Sequence, residues 1–116
     1  MTDRELDALV AEKVMGWRIE RYMTNPPKPT GMGMPPDSTT IAEIPAYSTD
    51  IAAAWEVVEK MRAQGFDNQF SWRADRPGHR SRPFACFGRN GSAEADTLQK
   101  AICLAALKAV GVKMDD

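Results

Sequence analysis

The chain has 116 residues, 43% apolar and 27% charged, enough to bury one core and too few for two. Fifteen Lys and Arg against sixteen Asp and Glu leave a formal net charge of −1. That balance excludes a general pull toward nucleic acid or an anionic membrane, so any such attraction must be local. No apolar run reaches a membrane-spanning length, and the acidic start MTDRELDALV lacks the basic and apolar regions of an export signal. A single domain over residues 1–116 in the cytoplasm is expected.

Thr2 and Glu5 are spaced as a capping box, and Leu6, Leu9, Val10 and Val14 follow at intervals of three and four. This predicts an amphipathic helix over 3–15. Gly16 can end it, and the alternation from Trp17 to Glu20 predicts a short strand over 17–22. Residues 24–46 hold six of the eight prolines, which removes backbone donors and predicts a long proline-rich loop with at most a short strand in it. Such a loop is a plain connection, a lid or a partner-binding segment, with Met32 and Met34 as adaptable contacts.

Ser48, Thr49 and Asp50 are successive N-cap candidates. Ile51, Ala54, Trp55, Val58 and Met61 then mark one face of a helix over 50–64, closed by Gly65. Phe66, Phe70, Trp72 and Ala74 recur with a period of two, with Asn68 as the polar exception on that face. This predicts a strand over 66–74, paired through a hairpin with a second strand over 83–88. A last helix is expected over 93–110, with Glu94 and Asp96 in its first turn and Lys108 in its last. The expected fold class is α+β, a small antiparallel sheet covered by helices in the order helix, strand, helix, strand, strand, helix. Leu6, Val10, Trp17, Ile19, Trp55, Val58, Phe70, Trp72, Phe87, Leu98, Ile102 and Ala105 are the expected core.

Catalytic signals are weak. Cys86 and Cys103 lack the second pair that a zinc site needs and read as reduced core thiols. His79 is the single histidine, so neither a histidine metal cluster nor a two-histidine relay can form. No metal, no cofactor and no enzymatic activity are expected.

Charge is concentrated in one place. Between residues 73 and 89 stand Arg73, Arg76, Arg80, Arg82 and Arg89 against the single acid Asp75. Every base in the stretch is arginine, whose planar guanidinium forms paired hydrogen bonds to phosphate and stacks on flat rings. Trp72, His79, Phe84 and Phe87 adjoin or interrupt the cluster, a composition suited to a small anion that carries aromatic rings. The plainer reading is a solvated hairpin whose arginines pair with acidic helices. The order helix, strand, strand, helix resembles part of a double-stranded-RNA-binding domain, which carries a lysine cluster at the start of its last helix. The turn at 92–96 is acidic instead, so a nucleic-acid polymer is not expected.

The opening Arg4-Glu5-Leu6-Asp7-Ala8-Leu9-Val10-Ala11-Glu12-Lys13-Val14-Met15-Gly16-Trp17, the central Pro45-Ala46-Tyr47-Ser48-Thr49-Asp50-Ile51 with Ala52-Ala53-Ala54-Trp55, and Ala93-Glu94-Ala95-Asp96-Thr97 leading into Ala101-Ile102-Cys103-Leu104-Ala105-Ala106-Leu107 resemble the phage ABA-sandwich family of small bacteriophage and prophage proteins. The resemblance implies no catalytic site, and it implies the cytoplasm of an infected bacterial host. Joined to the arginine cluster, it implies a counter-defence protein that sequesters a cyclic nucleotide or cyclic ADP-ribose immune signal. The anion would be held by Arg73, Arg76, Arg80, Arg82, Arg89, Trp72 and His79. The alternatives are an anti-CRISPR-type inhibitor that covers a host defence nuclease, and a structural or regulatory protein that binds a host partner through the proline-rich loop. Self-association is expected, since a symmetric interface deepens the shallow clefts of a small domain.

Overall fold

A computed structural model describes residues 2–24, 28–73, 82–88 and 91–112. Three helices and six strands follow one another as α1 (Asp3–Lys13), β1 (Arg18–Tyr22), β2 (Lys28–Met34), β3 (Ala42–Glu43), α2 (Ile51–Ala63), β4 (Asn68–Arg73), β5 (Arg82–Phe87), β6 (Gly91–Glu94) and α3 (Leu98–Ala109). The class is α+β. The strands form two antiparallel sheets, β1-β2-β3 and β4-β5-β6. Helix α1 packs on β1 and β2, α3 packs on β5 and β6, and α3 also meets both α1 and α2, so the helices join the two sheets.

Local signals place the helix ends. The capping box of α1 is formed, with Glu5 N–H donating to Thr2 Oγ1 and Thr2 N–H to the Glu5 carboxylate. Asp50 caps α2 through Ala52 N–H at 3.0 Å, and Gly65, at φ +90°, supplies the left-handed residue that follows it.

Two expectations are corrected. Residues 24–46 hold more than a loop with at most one short strand, because the seven-residue β2 and the two-residue β3 lie within them. In β2, Pro29 pairs only with Arg21 and lies outside the β3 contact, so its missing donor costs the ladder little. Gly33 is in the strand because the chain passes close by: a Cβ there would stand 2.9 Å from the Arg18 carbonyl oxygen. Second, the last helix starts at Leu98, capped by Thr97, and residues 91–94 are strand β6. Gly91, Ala93 and Ala95 are buried while Ser92 is exposed, a period of two that Glu94 and Asp96 disguised as a helical first turn.

The core is built on α3, where Ala101, Ile102, Cys103, Ala105, Ala106 and Leu107 are all buried. Of the expected core, Leu6, Val10, Val58, Phe87, Ile102 and Ala105 are buried, while Trp17, Ile19, Phe70 and Leu98 are half-buried. The Trp72 side chain lies outside the described residues. Trp55 is the correction, at 46% exposed. The buried stripe of α2 runs through Ala53, Ala54, Val57, Val58 and Met61, which turns Ile51 and Trp55 onto the flank. Tyr47, Met61 and Leu107 are large buried side chains that the expected core omitted. Tyr47 is hydrogen-bonded to Trp17, and burial pushes its hydroxyl up to about 12. Beside it Ser48 locks the segment before α2 onto α1, its N–H donating to the Asp7 carboxylate at 2.7 Å and its hydroxyl to the Asp3 carbonyl at 3.3 Å.

Candidate anion-binding hairpin

Strands β4 and β5 pair in register from Asn68↔Phe87 to Arg73↔Arg82. Alternation sorts this ladder into two faces. Asn68, Phe70 and Trp72 share a face with Phe87, Ala85 and Pro83, and through them with Gly91 and Ala93 of β6. This is the helix-covered face: Phe87 and Ala85 are fully buried, and the Phe70 ring meets Phe87 edge-on at 6.1 Å. Gln69, Ser71 and Arg73 share the other face with Cys86, Phe84 and Arg82, and with Ser92 and Glu94 of β6.

The ladder brings Arg73 and Arg82 together as direct cross-strand partners at the end where the connecting sequence leaves it. Two like charges in that relation oppose pairing unless an anion or an acid lies between them. Phe84, half-buried, is two positions from Arg82 on the same face. It is therefore the aromatic residue best placed beside the pair, a position that period-two counting from Arg82 could have found. Trp72 belongs to the opposite parity, paired with buried Pro83. Arg76, His79, Arg80 and Arg89 lie outside the described residues, as do the side chains of Trp72, Arg73 and Arg82.

The groups with displaced titration lie elsewhere, at the junction of α1, α3 and the segment before α2. Burial raises the Asp7 carboxyl against the lowering effect of its bonds to Ser48. Burial also raises the Cys103 thiol, which keeps it protonated and a poor nucleophile. Among the described residues no group of three His, Cys, Asp or Glu is placed to hold a metal ion, and no helix is long and apolar enough to cross a membrane. A shallow open depression lined by Arg62, Gly65, Phe66, Asp67 and Asn68 lies where α2 hands over to β4.

The segment from α2 to α3 has the order helix, three strands, helix, one strand more than the sequence pattern suggested. At the start of α3 the base is Lys100, which faces Asp3 at 3.4 Å and so stands beside a carboxylate.

The Phage ABA sandwich domain model matches residues 8–107. The chain belongs to this family. Its fold is similar to that of a phage protein from Bacillus cereus ATCC 14579, known from a 2.0 Å crystal structure, with a TM-score of 0.65 and 27% sequence identity over 94% of this chain and 92% of that one. No curated protein sequence matches the chain. The phage ABA sandwich assignment covers both sheets, all of α2, most of α3 and the second half of α1, and it includes strands β4 and β5.

Proposed function

We propose that this phage ABA sandwich protein is a counter-defence factor that captures a small anionic nucleotide signal, a cyclic nucleotide or cyclic ADP-ribose, at the Arg73–Arg82 end of the β4–β5 ladder. The observation that carries the reading is the backbone pairing of Arg73 with Arg82, because two like-charged residue types at directly opposed positions of a ladder disfavour pairing and a bound phosphate offsets that. Phe84 on the same face supplies a ring for a base, and Arg76, His79, Arg80 and Arg89 follow in the connecting sequence. The alternative is an anti-CRISPR-type inhibitor acting by protein contact, for which Ile51 and Trp55, exposed on α2, would be the contact.

Calorimetric titration of the purified protein with cyclic dinucleotides, cyclic ADP-ribose and duplex RNA tests the proposal. One of the small ligands should bind with an affinity that falls as salt rises. Replacing both Arg80→Glu and Arg82→Glu should abolish that capture while leaving the melting temperature unchanged or slightly higher, since it removes a like-charge neighbour from Arg73. Tighter binding of duplex RNA, or capture undiminished in the double variant, would overturn it.

A further inference from the structure

Each sheet has two end strands, and an end strand exposes unpaired backbone groups that can recruit another chain unless it is short, irregular or charged. Three of the four are protected. Strand β1 carries Arg18, Glu20 and Arg21 and shifts register between Ile19 and Arg21; β3 has two residues and β6 has four. Strand β4, of sequence NQFSWR, is six residues long, pairs with β5 without a register shift, and contains neither proline nor lysine. Among the described residues nothing pairs with its other edge.

The groups on that edge follow from one hydrogen bond. Gly88 N–H donates to the Asp67 carbonyl at 3.0 Å, so residue 67 is a hydrogen-bonded partner of β5, and so by alternation are 69, 71 and 73. The N–H and C=O groups of Asn68, Phe70 and Trp72 therefore point to the open edge. An antiparallel pairing of β4 with itself about Phe70 uses all three. Phe70 would face Phe70 of the partner subunit, and Asn68 would face Trp72 of the partner subunit, each pair exchanging both backbone bonds.

That register is also complementary in charge. It sets Asp67, exposed just before β4, opposite Arg73 of the partner subunit at both ends, and it sets Gln69 opposite Ser71 of the partner subunit. A register centred on Ser71 would instead put Gln69 opposite Arg73 and would match Asp67 with the sequence position of Asp75, a like charge. Trp55 adds apolar contact at the same place: its ring lies 5.9 Å from Phe70, while 46% of the residue and 47% of Ile51 remain exposed. An exposed indole above the central residue of an unprotected edge has a partner available across the axis.

We infer that β4 pairs with β4 of a second copy about Phe70, joining two β4-β5-β6 sheets into one continuous six-stranded sheet, with Trp55 from both copies over the junction. The pairing needs no anion, and it goes beyond the binding reading. Arg73 is common to both, while Arg76, Arg80, Arg82 and Arg89 are left for the ligand.

Sedimentation of the full chain over a range of micromolar concentrations tests the pairing. The parent should sediment as a dimer of 12.8 kDa chains. Asn68→Pro removes an N–H that faces the open edge and leaves the β4–β5 bonds in place, and Asp67→Lys sets like charges opposite each other at both ends. Each should weaken dimerisation about tenfold or more, a change of about 1.4 kcal/mol, with an unchanged far-ultraviolet spectrum. Exchanging the charges, Asp67→Arg with Arg73→Asp, should restore the dimer. Should Asn68→Pro fail to fold, the charge series decides alone. A monomeric parent at every concentration, or dimers undiminished in Asp67→Lys, would overturn the inference, and neither result depends on whether a nucleotide binds.

Discussion

Helices α2 and α3 are nearly equal in length, at 13 and 12 residues. Each is capped by a side chain accepting from its first turn, Asp50 from Ala52 N–H and Thr97 from Lys100 N–H. Their fates differ. Helix α3 has the β5–β6 surface on one side and α1 and α2 on the others, and buries six of its residues. Helix α2 has α3 and the margin of β4, and leaves Ile51 and Trp55 half in water. The comparison teaches that burial of a large apolar side chain follows the number of neighbouring layers, not the hydrophobicity of the residue.

The comparison breaks most sharply at one pair of substitutions. Ile102→Ala empties a fully buried site on α3 and should cost about 2 to 5 kcal/mol. Trp55→Ala removes a far larger side chain from α2 but should cost the folded monomer only about 1 kcal/mol, the scale of its tilted contact with Phe70. Chemical denaturation of both variants at low protein concentration checks this, and a Trp55 loss equal to that of Ile102 would place α2 in the core. Next in size is Gly91→Ala. A Cβ at Gly91 would stand 2.4 Å from the Ala109 Cβ and 2.7 Å from the Ala105 carbonyl oxygen, so β6 must move off α3. Overpacking of that kind costs about 1 to 3 kcal/mol. An unchanged melting temperature would mean that the sheet and α3 are not held at this spacing.

The smallest expected effect concerns the α1 side of α3, where Asp7 lies near Cys103. Burial raises the Asp7 carboxyl above the ordinary aspartate value of 3.8. The folded state therefore favours the protonated form, and the stability this contributes is complete below the unfolded value and lost as pH rises through the folded one. Asp7→Asn keeps an oxygen to accept the Ser48 N–H and has no charge to bury. Its stability should match the parent in acid and equal or exceed it at neutral pH. A parent that gains on the variant as pH rises would reverse the assigned direction.

Much of the fold was legible because the relevant signals are local. Thr2 and Glu5 meet across one helical turn, and the alternation from Phe66 to Trp72 states the parity of β4 without reference to any other strand. Strand β2 was not legible. Its glycines have the composition of a loop, and only the proximity of Gly33 to the Arg18 carbonyl shows why a side chain is excluded there. Strand β6 was hidden for a related reason, since four residues ending in an acid before Thr97 read equally well as the approach to a helix. At the candidate site the arginine cluster was visible as composition, and so was the opposite parity of Arg73 and Trp72. The opposition of Arg73 to Arg82 was not visible, because it depends on the β4–β5 register.

The amino-acid sequence by itself determined the helix caps, the parity of β4, the concentration of arginine between residues 73 and 89, and a family resemblance that runs from the start of the chain to its end. Those features are set by residues a few positions apart, whose geometry is the same in any fold that contains the element. Tertiary structure alone decided that Trp55 faces outward, that Gly33 and Gly91 cannot carry a side chain without displacing a neighbour, that Arg73 stands opposite Arg82, and that β4 ends its sheet. Each of these depends on an element far away in the chain arriving at, or being absent from, a particular face, and no local pattern encodes that distance.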